Sequence, residues 1–239
     1  MPGHGLETRT TYRHRSAALA AVAALLLVGT VASADEIFTA RTAVTLPGTD
    51  KVTSFDISFV DPVIGLYLLG DRTNKAVDVI DTTTNTVLAQ LTAMPAFAGA
   101  TPSNNNAGPN GITTVNHREV WAGDGPSEVK VIDLFSQKTT HVIFTGGVNR
   151  ANEMCFDPRD QLALVANDAE TPFPFISIIS TENCSILQQI TMNGTLASGG
   201  TLKSPAATNG IEQCQWDRRT GKFYLNIPEV NGPGNDTQP

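Results

Sequence analysis

The sequence predicts an all-β protein built from repeated four-stranded units. Three observations carry this expectation. Short apolar runs recur along the chain, separated by turns rich in Gly, Asn, Asp and Thr. One of the runs returns as a motif: Val77-Asp78-Val79-Ile80-Asp81, Val129-Lys130-Val131-Ile132-Asp133 and Ile176-Ser177-Ile178-Ile179-Ser180, at steps of 52 and 47 residues. Charged residues make up only 16% of the chain, a balance that suits pleated sheets and turns better than solvated helices. Self-similarity at this period, with four strands per unit, is the signature of a β-propeller. A β-sandwich is the alternative, but independent sandwiches do not repeat an internal motif in this way.

Residues 1–34 read as an export signal. Arg9, Arg13 and Arg15 precede the apolar run 17–31, and Ala32-Ser33-Ala34 is a small-x-small cleavage site. The run is shorter than the ~20 apolar residues that span a bilayer, so cleavage is expected rather than a retained anchor. No twin-arginine pair occurs, which points to the general export route. Residues 35–239 are then a single propeller domain in the periplasm or outside the cell. The signal removes three Arg and Glu7 from 16 basic and 23 acidic residues, which takes the net charge from −7 to −9. An acidic surface speaks against nucleic acid or, after signal cleavage, a membrane as partner. A protein or small-molecule ligand is expected instead.

Taken in order, residues 37–40 and 42–46 form a lead-in that can supply edge strands. The first unit has strands at 54–60, 66–69, 76–80 and 87–91. The stretch 92–110 is a long connection, and 103–110, rich in Asn and Gly, reads as surface loop. The second unit has strands at 111–115, 119–122, 128–132 and 140–144. The third has them at 152–156, 162–166, 175–179 and 186–190, with Thr171-Pro172-Phe173-Pro174 widening one turn. A second polar loop, 192–209, leads to strands at 211–216 and 222–227, and a turn follows at 231–236. The reading therefore expects about three and a half blades. A propeller closes with about four to eight blades, and an open sheet edge is costly. A chain truncated at its C-terminus is expected; closure of a four-bladed ring by residues 37–46 is the alternative.

The units resemble the YVTN-type β-propeller repeat, in which a YVAN-like strand, a turn, a VSVID-like strand, a Thr/Asn turn and a TVVATI-like strand follow one another. The residues that carry this are Leu66-Tyr67-Leu68-Leu69 with Val77 to Asp81 and Thr82-Thr83-Thr84-Asn85-Thr86-Val87. In the second unit they are Val120-Trp121-Ala122-Gly123 with Val129 to Asp133, and in the third Leu164-Val165-Ala166-Asn167 with Ile176 to Ser180. The third unit departs at Ser180, where Asp is usual. The resemblance covers roughly residues 53–239. It implies the fold; such propellers serve many roles.

A propeller gathers the starts of its inner strands around a central channel. Aligning the strand ends Asp61, Asn116, Asp157 and Asp217 places Asp56, Gly111, Asn152 and Glu212 in one ring, with Asn110 and Glu153 beside it. Such oxygen-rich side chains suit Ca²⁺ or another divalent cation. With Pro109-Asn110-Gly111-Ile112, the mixture is similar to gluconolactonase/regucalcin-like propellers, which implies a metal-dependent lactonase or hydrolase. The plainer reading is a water-filled polar channel without an ion. The long loops 93–110 and 193–209 both precede inner strands and so emerge on this same face. The first expectation is an exported propeller that binds a protein or small ligand through these channel-mouth loops. The lactonase is second, and a quinoprotein-dehydrogenase-like subunit third.

Other candidates read as scaffold. Asp81 and Asp133 are placed to accept turn N–H groups. His117 falls in a hairpin turn, where solvation is expected. Neither His117 nor His141 has a Ser or Cys at a spacing that suggests a triad. Trp121, Phe156, Trp216 and Tyr224 lie on strands, where packing between blades is expected. No Gly-rich phosphate loop opens a helix. Cys155, Cys184 and Cys214 show no CxxC spacing, so zinc and haem have no support. Cys155 and Cys214 fall on adjacent inner strands, where a disulfide and two buried thiols are both open.

Overall fold

A computed structural model describes residues 42–46, 51–194 and 206–230. The signal segment 1–34, residues 37–41, most of the loop 192–209 and the turn 231–236 lie outside these or largely so. The described residues are all-β apart from one turn of 3₁₀ helix at Asn104–Asn106.

The first sheet holds β1 (Phe55–Asp61), β2 (Leu66–Asp71), β3 (Ala76–Asp81) and β4 (Thr86–Thr92) in that order. The second holds β5 (Ile112–Val115), β6 (Glu119–Asp124), β7 (Glu128–Asp133) and β8 (Lys138–Phe144). The third holds β9 (Met154–Asp157), β10 (Leu162–Asn167), β11 (Phe175–Ser180) and β12 (Ser185–Thr191). A two-stranded pair, β13 (Glu212–Asp217) and β14 (Lys222–Asn226), completes the described fold. Every pairing is antiparallel between neighbours in sequence. The result is a propeller-like series of meanders.

The turns explain the regularity. The residue just before the next strand sits in the left-handed region in hairpin after hairpin: Lys75, Asn85, Ser127, Gln137, Gln161 and Cys184, with Gly65 and Gly221 in the same place. A type I turn closed by one left-handed residue returns the chain into an antiparallel strand with the proper twist. Asp81 Oδ1 accepts from Thr83 N at 2.7 Å and Thr84 N at 3.0 Å, and Asp133 Oδ1 from Ser136 N at 2.8 Å. These bonds hold the Asp81 carboxyl below its ordinary value and that of Asp133 down at about 2.

Strand alternation then places the core between sheets. On β6, Val120 and Ala122 face the first sheet while Trp121 faces the third. On β7, Ile132 joins Leu68, Val77 and Val79, whereas Val129 and Val131 join Met154, Ala163 and Val165. On β10, Leu164 and Ala166 point the other way, toward Ile211, Cys214 and Phe223. A sheet buried on both faces reads as a continuous apolar run, which is why the motif strands do. Each fully buried Val, Leu or Ile stabilises by about 1.5–3 kcal/mol.

Four expectations need correction. The loop 103–110 is not all surface: residues 107–110 are buried, and Phe97 before it fills the first interface. A loop can enter a core when its backbone groups are paired, and Gly99 and Gly108 pair with each other. Residues 42–46 form no strand; they line a cleft with Tyr67, Leu69 and Ile80 on the outer face of the first sheet. Tyr224 is 53% exposed rather than packed between sheets. His117 is not simply solvated; its Nδ1 lies 2.7 Å from Asp61 Oδ2.

Candidate functional site

The inner strands β1, β5, β9 and β13 adjoin one another in sequence order. Together they bound a central cavity of about 850 Å³. Its walls include Ile57, Phe59, Phe156 and Trp216, and the Cys155–Cys214 disulfide joins β9 to β13 beside it, with Cα atoms 5.7 Å apart. The two ends of these strands differ in chemistry.

At the starting end stands Arg72, just after β2. It donates to Asp56 and, at 2.6 Å, to Asn110 Oδ1. Asn110 Nδ2 donates to the carbonyls of Ala107 (2.9 Å) and Ala151 (3.1 Å). Asn110 is thus a clasp that ties three segments, with its amide fully engaged. A Cβ on Gly111 would meet the Asn152 carbonyl oxygen at 2.2 Å, so only glycine lets β5 approach β9 this closely.

Asn152 and Glu153 are fixed by their backbones. Asn152 N donates to Ala166 O and Ala166 N to Glu153 O, each at 2.8 Å. Their side chains are less well served. Asn152 Oδ1 and Glu153 Oε1 are buried and meet no hydrogen-bond partner among the described residues. Glu153 is 4% exposed and lines the cavity. Behind it Arg150 pairs with Asp168, Nη2 to Oδ2 at 2.5 Å and Nε to Oδ1 at 3.2 Å. Glu212 opens β13 and lines a polar side cleft with Arg150, Asp168 and Glu170.

The carboxyls of Asp56, Glu153 and Glu212 are pushed up. Burial pushes the Glu153 carboxyl to about 8, and the negative charges of Asp56, Glu212 and Asp168 add to it. Burial also raises Asp56, against the pull of Arg72 and Arg150, and raises Glu212, with Asp168 adding. Arg72 offsets Asp56, and Arg150 offsets Asp168. Among the described residues Glu153 and Glu212 have no ion-pair partner of their own.

The turn aspartates at the opposite end are satisfied. Asp61 accepts from Val63 N, Ile64 N and Thr114 Oγ1, and pairs with His117. Burial opposes its ionisation, yet these bonds outweigh that and hold its carboxyl below the ordinary value. Asp217 is lowered too, by the N–H of Arg219 and the hydroxyl of Thr220. Asp157 accepts from Arg159 N and Asp160 N.

The starting end brings Asp56, Asn110, Asn152 and Glu153 together, with Glu212 on its flank. Arg72, Arg150 and Asp168 escaped the sequence reading. Arg150 stands three residues before Glu153 and was open to discovery there; Arg72, in an ordinary hairpin turn, gave no signal. Among the described residues no three His, Cys, Asp or Glu side chains gather closely enough to hold a metal ion.

No family model matches the sequence, and no curated protein does either. Among solved structures the chain is similar to Kuenenia stuttgartiensis hydrazine synthase, at 12% identity and a TM-score of 0.52, over 70% of this chain and 42% of that one. It is also similar to the dihydro-heme d1 dehydrogenase NirN in complex with DHE, at 15% identity and a TM-score of 0.48, over 73% of this chain and 33% of that one. The chain thus spans less than half the length of either. At this identity the likeness to hydrazine synthase concerns fold alone.

Proposed function

We propose that this chain is an exported β-propeller that binds a small ligand in its central cavity, at the starts of the inner strands. In this reading the three four-stranded sheets are blades, β13 and β14 begin a fourth, and residues 1–34 are the export signal. One observation carries the binding reading. A buried glutamate with an unpartnered oxygen opens onto a cavity bounded by all four inner strands. Burying such a group without a partner costs stability, so a fold that keeps it there has a use for it. The lactonase reading has no comparable support, since the acidic groups do not form a metal-ligating set.

Gln213 is exposed and lines the cavity, so Gln213→Trp should fill it without disturbing the core. The test is a melting-temperature screen of primary amines, polyols and aromatic acids against wild type and Gln213→Trp. Shifts seen in wild type and lost in Gln213→Trp are expected. A blank panel, or shifts that persist in the variant, would contradict the assignment.

A further inference from the structure

We propose that the starting end of the central cavity is a site for a small organic monocation, an ammonium group carried on an apolar body and held by Glu153. The inference rests on the reading of this cavity as a binding site and adds the chemistry of its ligand.

The argument begins with the unpartnered oxygen. Glu153 lines the cavity, and its Oε1 is buried with no hydrogen-bond partner among the described residues. An ionised carboxylate only accepts hydrogen bonds, so its best complement is a donor, and a charged donor makes the stronger bond. The charge pattern points the same way. Arg72 serves Asp56 and Arg150 serves Asp168, which leaves Glu153 and Glu212 without a cation of their own among the described residues. One added cation restores much of the balance. The rest of the wall is largely apolar: Ile57, Phe59, Met154, Phe156 and Trp216. A carboxylate with an apolar wall that reaches Phe156 and Trp216 toward the far end suits an ammonium with a hydrocarbon body better than a hydrated metal ion.

Binding should be coupled to a proton. The free Glu153 carboxyl is pushed up to about 8, so near neutrality it keeps its proton. An ammonium group binds the carboxylate, and the displaced proton passes to the buffer. The charged groups around it are Asp56 from β1, Arg72 after β2, Arg150 and Asp168 beside β9 and β10, and Glu212 from β13. Asp61, His117 and Arg218 line the far end of the cavity.

The test is calorimetric titration with hexylammonium chloride and, as uncharged counterpart, 1-hexanol, in buffers of different ionisation enthalpy. Hexylammonium should bind about tenfold or more tightly near pH 8.5 than near pH 6, because a larger fraction of Glu153 is ionised. It should release close to one proton near pH 7. The pH dependence and the proton release should vanish in Glu153→Gln. At pH 8.5, where Glu153 is already largely ionised, Glu212→Gln, which leaves Glu153 in place, should weaken binding about threefold or more; unchanged affinity there overturns the proposal even if Glu153→Gln fails to fold. Equal binding of hexylammonium and 1-hexanol, lost in Gln213→Trp, overturns the cation inference but leaves the cavity as a binding site. Binding of neither overturns it as well, and the cavity reading then falls only if the wider panel is blank. Competitive displacement by CaCl₂ would assign the site to a metal and overturn the proposal.

Discussion

The two ends of the inner strands carry carboxylates of the same kinds in opposite circumstances. Asp61, Asp157 and Asp217 stand where a strand enters a tight turn, and turn N–H groups reach each of them. Asp56, Glu153 and Glu212 stand where a strand begins. At the first end Asp61 and Asp217 are held low. At the second Asp56, Glu153 and Glu212 are all raised, with burial the leading cause. Position along the strand, rather than residue type, decides whether an acid is scaffold or is left available to something else.

The largest effect is expected between the two ends. The Cys155–Cys214 disulfide closes a separation of 59 residues, and chain-entropy reasoning gives it about 4 kcal/mol. Cys155→Ala with Cys214→Ala should lower the denaturation midpoint accordingly. Both ends depend on β9 and β13 staying together, so the contrast between them should blur in that variant.

Next in size is the contrast itself. Asp61→Ala removes the partner of Thr114, His117 and two turn N–H groups at a site 1% exposed. Losing such bonds in a buried site should cost about 2–3 kcal/mol in chemical denaturation. Glu153→Gln should do the reverse above neutral pH and leave the protein as stable as wild type or more so. Equal losses in both variants would erase the distinction.

The pH profile sharpens the comparison further. In the folded chain Glu153 holds its proton up to about 8, against an ordinary value of 4.5 when unfolded. Between those values the native state binds the extra proton, so stability falls as pH rises through that window. Asp78, pushed up by burial to about 6, acts in the same direction over a lower range. The lowered Asp61 and Asp217 act oppositely. Their contribution is present above the ordinary value of 3.8 and is lost as pH falls through their folded values. Melting temperature against pH should therefore decline on both flanks. Glu153→Gln should flatten the alkaline flank alone. The smallest effect is expected for Asp217→Ala, whose turn is exposed; its midpoint should move less than that of Asp61→Ala.

Much of the fold was legible because strand alternation and turn chemistry are local. Strand boundaries read from apolar runs fall within two residues of those observed, as with 66–69 against Leu66–Asp71 and 186–190 against Ser185–Thr191. That β1, β5, β9 and β13 would adjoin one another was legible too, since each opens its unit. What escaped was long-range. Arg72 reaches Asn110 across 38 residues and His117 reaches Asp61 across 56, and no local pattern encodes either pairing. Nor could spacing show that Asn110 would be consumed by a clasp while Glu153, also polar and beside the same ring, would keep a free oxygen.

The most direct measurement is a carbon-detected NMR titration of the Glu153 side-chain carboxyl, with and without hexylammonium. A midpoint near pH 8 in the free protein is expected, moving down by at least about one pH unit as the ammonium binds. A midpoint near the ordinary 4.5, unmoved by the ligand, would mean that this carboxylate is already solvated or paired like those at the other end, and the contrast would be lost.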